Sequence, residues 1–158
     1  MPKVGDNAPA FTTLTDAGTP LSLADFRGKK VVLYFYPKDD TPGCTREACS
    51  FRDNHQAVLD RGAVILGVSA DGVESHVQFK QKFDLPFPLL ADTDRTIISA
   101  YDVWKERTAS DGRTFMGIER TTFVIDERGV ITHVFPRVRV DGHTDEVLGA
   151  LHGSAPNG

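Results

Sequence analysis

A continuous apolar stretch occupies residues 31–36 of the chain: Val31-Val32-Leu33-Tyr34-Phe35-Tyr36. It consists of β-branched, aromatic and leucine side chains, and the first two classes are enriched in strands. A run without polar alternation is typical of a strand that is buried on both faces, as in a parallel sheet. The stretch, which Pro37 ends, therefore predicts a central strand with side chains packed on either side of it.

A second run of the same kind follows at residues 63–68, Ala63-Val64-Ile65-Leu66-Gly67-Val68. Between the two runs, residues 42–61 have a helical pattern that ends at Gly62, a residue type that often follows the last turn of a helix. Strand, helix and strand in this order predict a βαβ unit.

The rest of the chain predicts further helices and one hairpin. Helices are expected from Val73 to Phe83, from Thr93 or Asp94 through Tyr101, and from Thr144 to Leu151. Strands at residues 121–126 and 130–135 are separated by Glu127-Arg128-Gly129, a turn sequence. We therefore expect one α/β domain over residues 1–152, with an N-terminal extension, a central sheet and helices on both faces, followed by a flexible tail at 153–158.

Composition narrows the class of protein. The chain has 158 residues, of which 40% are hydrophobic and 25% charged, with a formal net charge of −4. It lacks the basic face that nucleic-acid binding requires and an apolar segment of the roughly 20 residues that span a bilayer. The first residues lack the apolar stretch of a signal peptide, so we expect a cytoplasmic protein without nucleic-acid or membrane partners.

The chain contains two cysteines, Cys44 and Cys49. Two are too few for a disulfide scaffold, and in a reducing cytosol a close pair is more often redox-active or metal-binding. A zinc site needs about four ligands, whereas the nearest histidine in sequence is His55 and there is no second cysteine pair. Redox chemistry is thus favoured over zinc, and the histidines are interpreted as structural.

Cys44 lies where a polar loop enters a predicted helix. With Thr41 as the N-cap, Pro42 is the first helical residue and Cys44 the third, facing free backbone N–H groups and the positive end of the helix dipole. That position favours a thiolate over a thiol. The alternative, a buried packing cysteine, is poorly suited to such polar surroundings. For Cys49, spacing leaves open a redox role or a small apolar residue on the buried side of the helix.

A thiolate that attacks a peroxide needs fixed donors for the negative charge that grows on the departing oxygen. The Thr41 hydroxyl is within one turn and can donate. A guanidinium could come from Arg46, Arg52 or Arg120, and of these Arg120 immediately precedes a predicted strand. Spacing alone does not separate these arginines from ordinary surface charges.

Several motifs resemble the peroxiredoxins, and in particular the bacterioferritin comigratory protein (PrxQ) branch. The resemblance is carried by Tyr36-Pro37, Thr41-Pro42-Gly43-Cys44-Thr45 and Glu47-Ala48-Cys49, with Pro37, Thr41 and Cys44 matching the Pro-x-x-x-Thr-x-x-Cys pattern. It extends to Val4-Gly5-Asp6, Ala8-Pro9-Ala10-Phe11 and the stretch from Phe115 to Asp126. It covers nearly the whole chain.

The resemblance implies a thioredoxin-like fold with a mixed central sheet and a thiol peroxidase activity that needs no metal, haem or flavin. Cys44 would attack hydrogen peroxide or an organic hydroperoxide, and Cys49 would resolve the sulfenic acid as a disulfide within the same chain. Pro37, Thr41, Gly43 and Arg120 would form the peroxide site. Thioredoxin or a similar dithiol would regenerate the enzyme, which we expect to be a monomer.

Two other functions compete with this one. A thioredoxin-like disulfide oxidoreductase usually has Cys-x-x-Cys, whereas four residues separate Cys44 from Cys49. A redox sensor could form the same disulfide without turning over with a reductant. Insulin reduction would identify the first alternative, and a steady-state peroxidase assay would separate the second.

Overall fold

Strand β3 (Lys30–Phe35) is an interior strand, the fifth of seven in a mixed sheet, in a computed structural model that describes residues 1–152. The strand order across the sheet is β2 (Pro20–Ser22), β1 (Thr12–Thr15), β5 (Leu89–Ala91), β4 (Ala63–Ser69), β3, β8 (Thr121–Ile125) and β9 (Ile131–Phe135). Strands β3, β4 and β5 run parallel, and β8 pairs antiparallel with β3 on the other side. The predicted central strand and the hairpin of β8 and β9 are confirmed.

From β3 to α4, strands and helices alternate along the chain. A pair of sequence-adjacent antiparallel strands lies at each end of the main sheet. The strands are β1 (Thr12–Thr15), β2 (Pro20–Ser22), β3 (Lys30–Phe35), β4 (Ala63–Ser69), β5 (Leu89–Ala91), β6 (Trp104–Thr108), β7 (Thr114–Ile118), β8 (Thr121–Ile125) and β9 (Ile131–Phe135). The helices are α1 (Pro42–Asp53), α2 (His55–Asp60), α3 (Val73–Phe83), α4 (Thr96–Ala100) and α5 (His143–His152), and a short 3₁₀ turn covers Leu23–Phe26.

Both faces of β3 are buried, which explains its unbroken apolar sequence. Val32 and Tyr34 point into a core that is completed by side chains of α1, α2, α3 and α5. Leu33 and Phe35 point into a second core on the opposite face, which contains side chains of α4 and of the 3₁₀ turn. Helices therefore cover the sheet on both sides, as predicted.

Two helix predictions need correction. The predicted helix at residues 42–61 is two helices, because Asn54 leaves the helical conformation with φ −109° and ψ 12° between α1 and α2. Helix α4 begins later than expected, after Arg95, whose φ is +61°. Asp94, one of the two predicted cap residues, nevertheless accepts a hydrogen bond from the amide of Thr96, the first residue of α4. Asp92 accepts two more, from the amides of Ile97 and Ile98, so two aspartates support the start of this helix.

The N-terminal extension is part of the sheet. β1 pairs antiparallel with both β2 and β5, so the extension forms one edge of the main sheet. β6 and β7 form a separate antiparallel hairpin directly before β8. None of these short strands was predicted from the sequence pattern.

Three further expectations concern absences or the chain end. The predicted tail at 153–158 lies outside the described residues. Over residues 1–152, no helix is long and apolar enough to cross a membrane. Within the same range, no group of three or more His, Cys, Asp or Glu side chains is arranged to hold a metal ion.

Candidate active site

The loop after β3 leads directly into the first turn of α1. Thr41 is the N-cap, with an extended backbone at φ −98° and ψ 156°, and Pro42 is the first helical residue, as predicted. The Thr41 hydroxyl does not cap the helix, because it donates a hydrogen bond to the Lys38 carbonyl at 2.9 Å. Its proton is thus engaged within the loop, and what it can offer a ligand is an acceptor oxygen rather than the donor that we expected.

Cys44 is buried, with 1% of its surface exposed, in the same core cluster as Tyr34, Ala48 and Phe51. The expectation that this position is unsuited to a buried residue is therefore wrong. Residues 44, 47, 48 and 51 recur at the spacing of one helical face, and this face of α1 packs against the sheet. Cys44 combines a position in the first helical turn with a surrounding of apolar side chains.

Arg120 is the arginine that reaches the thiol. It lies directly before β8, and its Nη2 donates to Cys44 Sγ at 3.4 Å while its Nη1 donates to Glu47 Oε1 at 2.7 Å. Its side chain is only 15% exposed. The other two candidates lie elsewhere: Arg46 forms an exposed ion pair with Asp141, and Arg52 binds Asp53 and the Phe83 carbonyl.

Glu47 is the site residue whose role sequence reasoning missed. It pairs with Arg120, at 2.7 Å, rather than with Arg46 or Arg52, which lie much closer in sequence. The carboxyl is 2% exposed, and its Oε2 has no hydrogen-bond partner among the described residues. Burial raises the pKa of Glu47 to about 7, against the opposing effect of Arg120. Its place three residues after Cys44, on the same helical face, was the available signal.

Gly43 leaves room for this arrangement. A β-carbon at residue 43 would lie 3.1 Å from Arg120 Nη2, which is tighter than ordinary van der Waals contact. The absence of a side chain therefore lets the guanidinium approach the backbone of the first helical turn and the Cys44 sulfur together.

Cys49 lies on α1 with Cys44, half-buried, and both are free thiols. Five residues of regular helix give a rise of about 7.5 Å and a rotation of about 140°, so their Cα atoms are roughly 8.6 Å apart. A disulfide needs Cα atoms within about 7 Å and converging Cβ directions. The two thiols therefore cannot bond while α1 is intact.

A pocket of about 340 Å³ lies beside the loop that contains Pro37. Most of its lining is apolar, and two of its side chains, Phe115 and Met116 on β7, are more than half exposed. Pro37, Lys38, Ala70, Trp104, Arg107, Gly117 and Ile118 complete the lining. An apolar group could therefore be held close to the loop of residues 36–41, which joins β3 to α1.

A thiol at a helix start, with a guanidinium in contact, is suited to nucleophilic attack with charge stabilisation. Comparison with known proteins decides which chemistry this is. The sequence model described as the AhpC/TSA family matches residues 4–134. The chain belongs to the AhpC/TSA family. Its relatives at high identity are peroxiredoxins: a bcp protein of Coxiella burnetii is 56% identical over 94% of this chain and 98% of its own length. Peroxiredoxin Bcp of Bacillus subtilis is 46% identical over 94% of each chain.

Solved structures agree with this assignment to the peroxiredoxins. A cysteine-to-serine mutant of PrxQ from Xylella fastidiosa superimposes with a TM-score of 0.92 at 36% identity, over 98% of both chains. Peroxiredoxin Q of Xanthomonas campestris gives 0.86 at 40% identity, over 92% of this chain and 91% of its own. This peroxiredoxin thus has the thioredoxin-like fold predicted above. Peroxiredoxins are thiol peroxidases, so the enzyme class is an oxidoreductase that acts on peroxides.

Proposed function

We propose that this peroxiredoxin reduces hydrogen peroxide and organic hydroperoxides in a cycle that uses Cys44 as the nucleophile and Cys49 as the resolving thiol. The observation that carries the proposal is the contact of Arg120 with Cys44 Sγ, 3.4 Å long, at the start of α1. A fixed positive charge at that distance stands where negative charge develops as the sulfur attacks and the O–O bond breaks.

In the first step the Cys44 thiolate attacks one peroxide oxygen. An S–O bond forms and the O–O bond breaks, so that sulfur is oxidised to a sulfenic acid and the departing oxygen takes a proton as water or an alcohol. Arg120 donates to the oxygens during this displacement. The Thr41 hydroxyl, whose own proton binds the Lys38 carbonyl, accepts the hydrogen bond of the peroxide O–H.

Pro37 and Gly43 shape the same site without taking part in proton transfer. Gly43 leaves the space that Arg120 occupies. Pro37 is half-buried, belongs to the loop between β3 and α1, and lines the apolar pocket. That pocket supports organic hydroperoxides as substrates, since it could cover an alkyl group. A ligand complex of the X. campestris bacterioferritin comigratory protein was described in terms of the alkyl peroxide reduction activity of that protein.

In the second step the Cys49 thiol attacks the sulfenic sulfur, and water leaves as the disulfide forms. Because the helical geometry keeps the two Cα atoms too far apart, the first turns of α1 must unwind before this step. Unwinding breaks the Glu47–Arg120 ion pair and exposes Cys44 and Ala48, which are buried in the reduced protein. The step therefore costs apolar burial in addition to the ion pair.

An external dithiol then reduces the disulfide through a mixed disulfide, and thioredoxin is the proposed reductant. We propose a cytoplasmic location, because a close cysteine pair that an external dithiol keeps returning to thiols suits a reducing compartment. We propose that it acts as a monomer and that residues 1–152 form one domain, since the intrachain disulfide requires no second subunit.

Mass spectrometry of the intact protein after one equivalent of peroxide tests the cycle. The wild-type protein should lose the mass of two hydrogens, with a Cys44–Cys49 cross-link in the peptide map. Cys49→Ser should consume about one equivalent and gain one oxygen at Cys44, whereas Cys44→Ser should consume none. Equal first-turnover consumption by wild type and Cys44→Ser would overturn the assignment. Steady-state turnover with thioredoxin and thioredoxin reductase then tests the reductant.

A further inference from the structure

A buried polar network lies directly beneath the loop that contains Thr41. At its centre is Asp39, only 7% exposed although it belongs to a loop. Its carboxylate accepts three hydrogen bonds, from the Tyr36 hydroxyl at 2.6 Å, the Ser75 hydroxyl at 2.7 Å and His76 Nδ1 at 2.7 Å. A loop residue is thus fixed to helix α3 and to Tyr36, the residue that follows strand β3.

His76 is fully buried and has an acceptor at each ring nitrogen. Nε2 lies 2.8 Å from the Leu90 carbonyl, and Nδ1 lies 2.7 Å from Asp39 Oδ2. The Leu90 carbonyl can only accept, so Nε2 donates to it, and in the protonated ring Nδ1 donates to the Asp39 carboxyl as well. Burial alone would lower the pKa of His76, but hydrogen bonding and charge from Asp39, with smaller effects of Leu90 and Asp71, outweigh it and raise that pKa.

The network continues on the backbone side of the loop. The Asp39 amide donates to Asp71 Oδ2 at 2.8 Å, and the Ser69 hydroxyl donates to the same oxygen at 2.7 Å. Next in sequence, Asp40 has φ +58° and forms an ion pair with Lys82 of α3. Two consecutive loop residues are therefore held by α3 and by the end of β4, immediately before Thr41.

We propose that His76 is a positioning residue for peroxide reduction: by donating from both ring nitrogens it ties Asp39 to strand β5, and thereby fixes the loop that orients the Thr41 hydroxyl. This inference rests on the proposed role of Thr41 in binding peroxide. His76 acts through Asp39 and the two residues that connect it to Thr41. The same attachment holds the loop in place while α1 unwinds for disulfide formation.

The first test is a double-mutant cycle on the second-order rate constant of Cys44 oxidation by hydrogen peroxide. His76→Gln should lower this constant between about 10- and 100-fold, the scale of misplacing a group at a reacting centre. Thr41→Val lowers it on its own. The double variant should be little slower than Thr41→Val alone, because both changes remove the same oriented hydroxyl. If the rate reduction in the double variant equals the product of the two single reductions, His76 does not act through Thr41.

The second test is spectroscopic. Nitrogen-15 NMR of labelled histidine should show protons on both ring nitrogens of His76 near neutral pH in the wild type, and Asp39→Asn should convert the ring to its neutral form. A merely space-filling histidine would not change protonation state with residue 39. A neutral His76 ring in the wild-type protein would overturn the proposal.

Matched phenylalanine variants cover the case in which His76→Gln does not fold. Tyr36→Phe removes one donor to Asp39, whereas Tyr101→Phe removes an equally buried phenol that donates to the Pro9 carbonyl at 2.7 Å in the core on the opposite face of the sheet. Only Tyr36→Phe should slow peroxide attack. Equal rates for the two variants, or a folded His76→Gln with the wild-type rate, would refute the role of His76. If the wild type itself fails to react at Cys44, the proposed function fails instead.

Discussion

A methyl group at position 43 would stand 3.1 Å from Nη2 of Arg120. Gly43 has an ordinary helical backbone, so alanine is permitted there by conformation, and alanine is a better helix former by about 1 kcal/mol. The two effects oppose each other. The added methyl stabilises the helix that must unwind and also pushes on the guanidinium that contacts Cys44.

We therefore expect Gly43→Ala to slow peroxide attack roughly tenfold by displacing Arg120, the scale of a small misplacement at a reacting centre. Gly149→Ala is the control, because Gly149 is an exposed residue of helix α5 and a β-carbon there would meet nothing within 4 Å. That variant should gain stability and keep the wild-type rate. Stopped-flow peroxide consumption measures both. An unchanged rate in Gly43→Ala would mean that the Arg120 guanidinium can move away from the added methyl without slowing peroxide attack.

Replacement of Arg120 by alanine should lower the rate of Cys44 oxidation by roughly 10²–10³, the range for loss of one preorganised donor. The guanidinium is the only group that donates to Cys44 Sγ among the side-chain hydrogen bonds of residues 1–152. Arg46→Ala is the comparison, since Arg46 forms an exposed pair with Asp141 and such pairs contribute little. Equal rates for the two variants would remove Arg120 from the mechanism.

Glu47 should make the stability of the reduced protein fall as the pH rises from about 4.5 to about 7. Its usual pKa is 4.5 and burial raises it to about 7 in the folded state. In that window the folded protein holds a proton that the unfolded chain has released, so ionisation opposes folding. Glu47→Gln should lack this decline, on the order of a few kcal/mol.

Urea unfolding of the reduced proteins at several pH values measures this difference. Glu106→Gln serves as the control, because Glu106 is exposed on β6 and should leave the wild-type pH dependence in place. If wild type and Glu47→Gln showed the same pH dependence, the Glu47 carboxyl would have to be ionised throughout the window.

Disulfide formation should remove the protection of the amides between Cys44 and Cys49. Hydrogen exchange of the reduced and disulfide forms measures this, with helix α3 as the internal reference because it contains neither cysteine. Loss of protection should not extend beyond Asn54, where α1 ends and α2 begins. A disulfide form with full protection of residues 44–49 would contradict the geometric argument.

The sequence predicted the elements with strong periodicity. β3, β4 and the hairpin of β8 and β9 match because their long apolar runs must be buried, whereas α3 was predicted from scattered apolar positions in an otherwise polar segment. β5 was missed because its strand is only Leu89–Ala91, directly after Pro86 and Pro88, which discouraged a strand interpretation. β6 is largely polar, so its sequence shows no apolar run at all.

At the candidate site, the local features were easier to predict than the long-range contacts. The N-cap at Thr41 and the position of Cys44 in the first helical turn follow from residues that are adjacent in sequence. The choice of Arg120 over Arg46 and Arg52 depends on a contact across 76 residues, which spacing could not supply. From the sequence, His76 was interpreted only as a structural residue. Its hydrogen bond with Asp39 could not be predicted, because 37 residues separate the two.

Trp104 is the only tryptophan of the chain, and it borders the same pocket as Pro37 of the loop between β3 and α1. Its ring is also covered by the Arg95 guanidinium, 4.5 Å from the ring centroid. Indole fluorescence responds to the polarity and charge around the ring, so a shift of Pro37 or the entry of an alkyl group should change the emission. The protein thus contains an optical reporter for the pocket that borders Pro37.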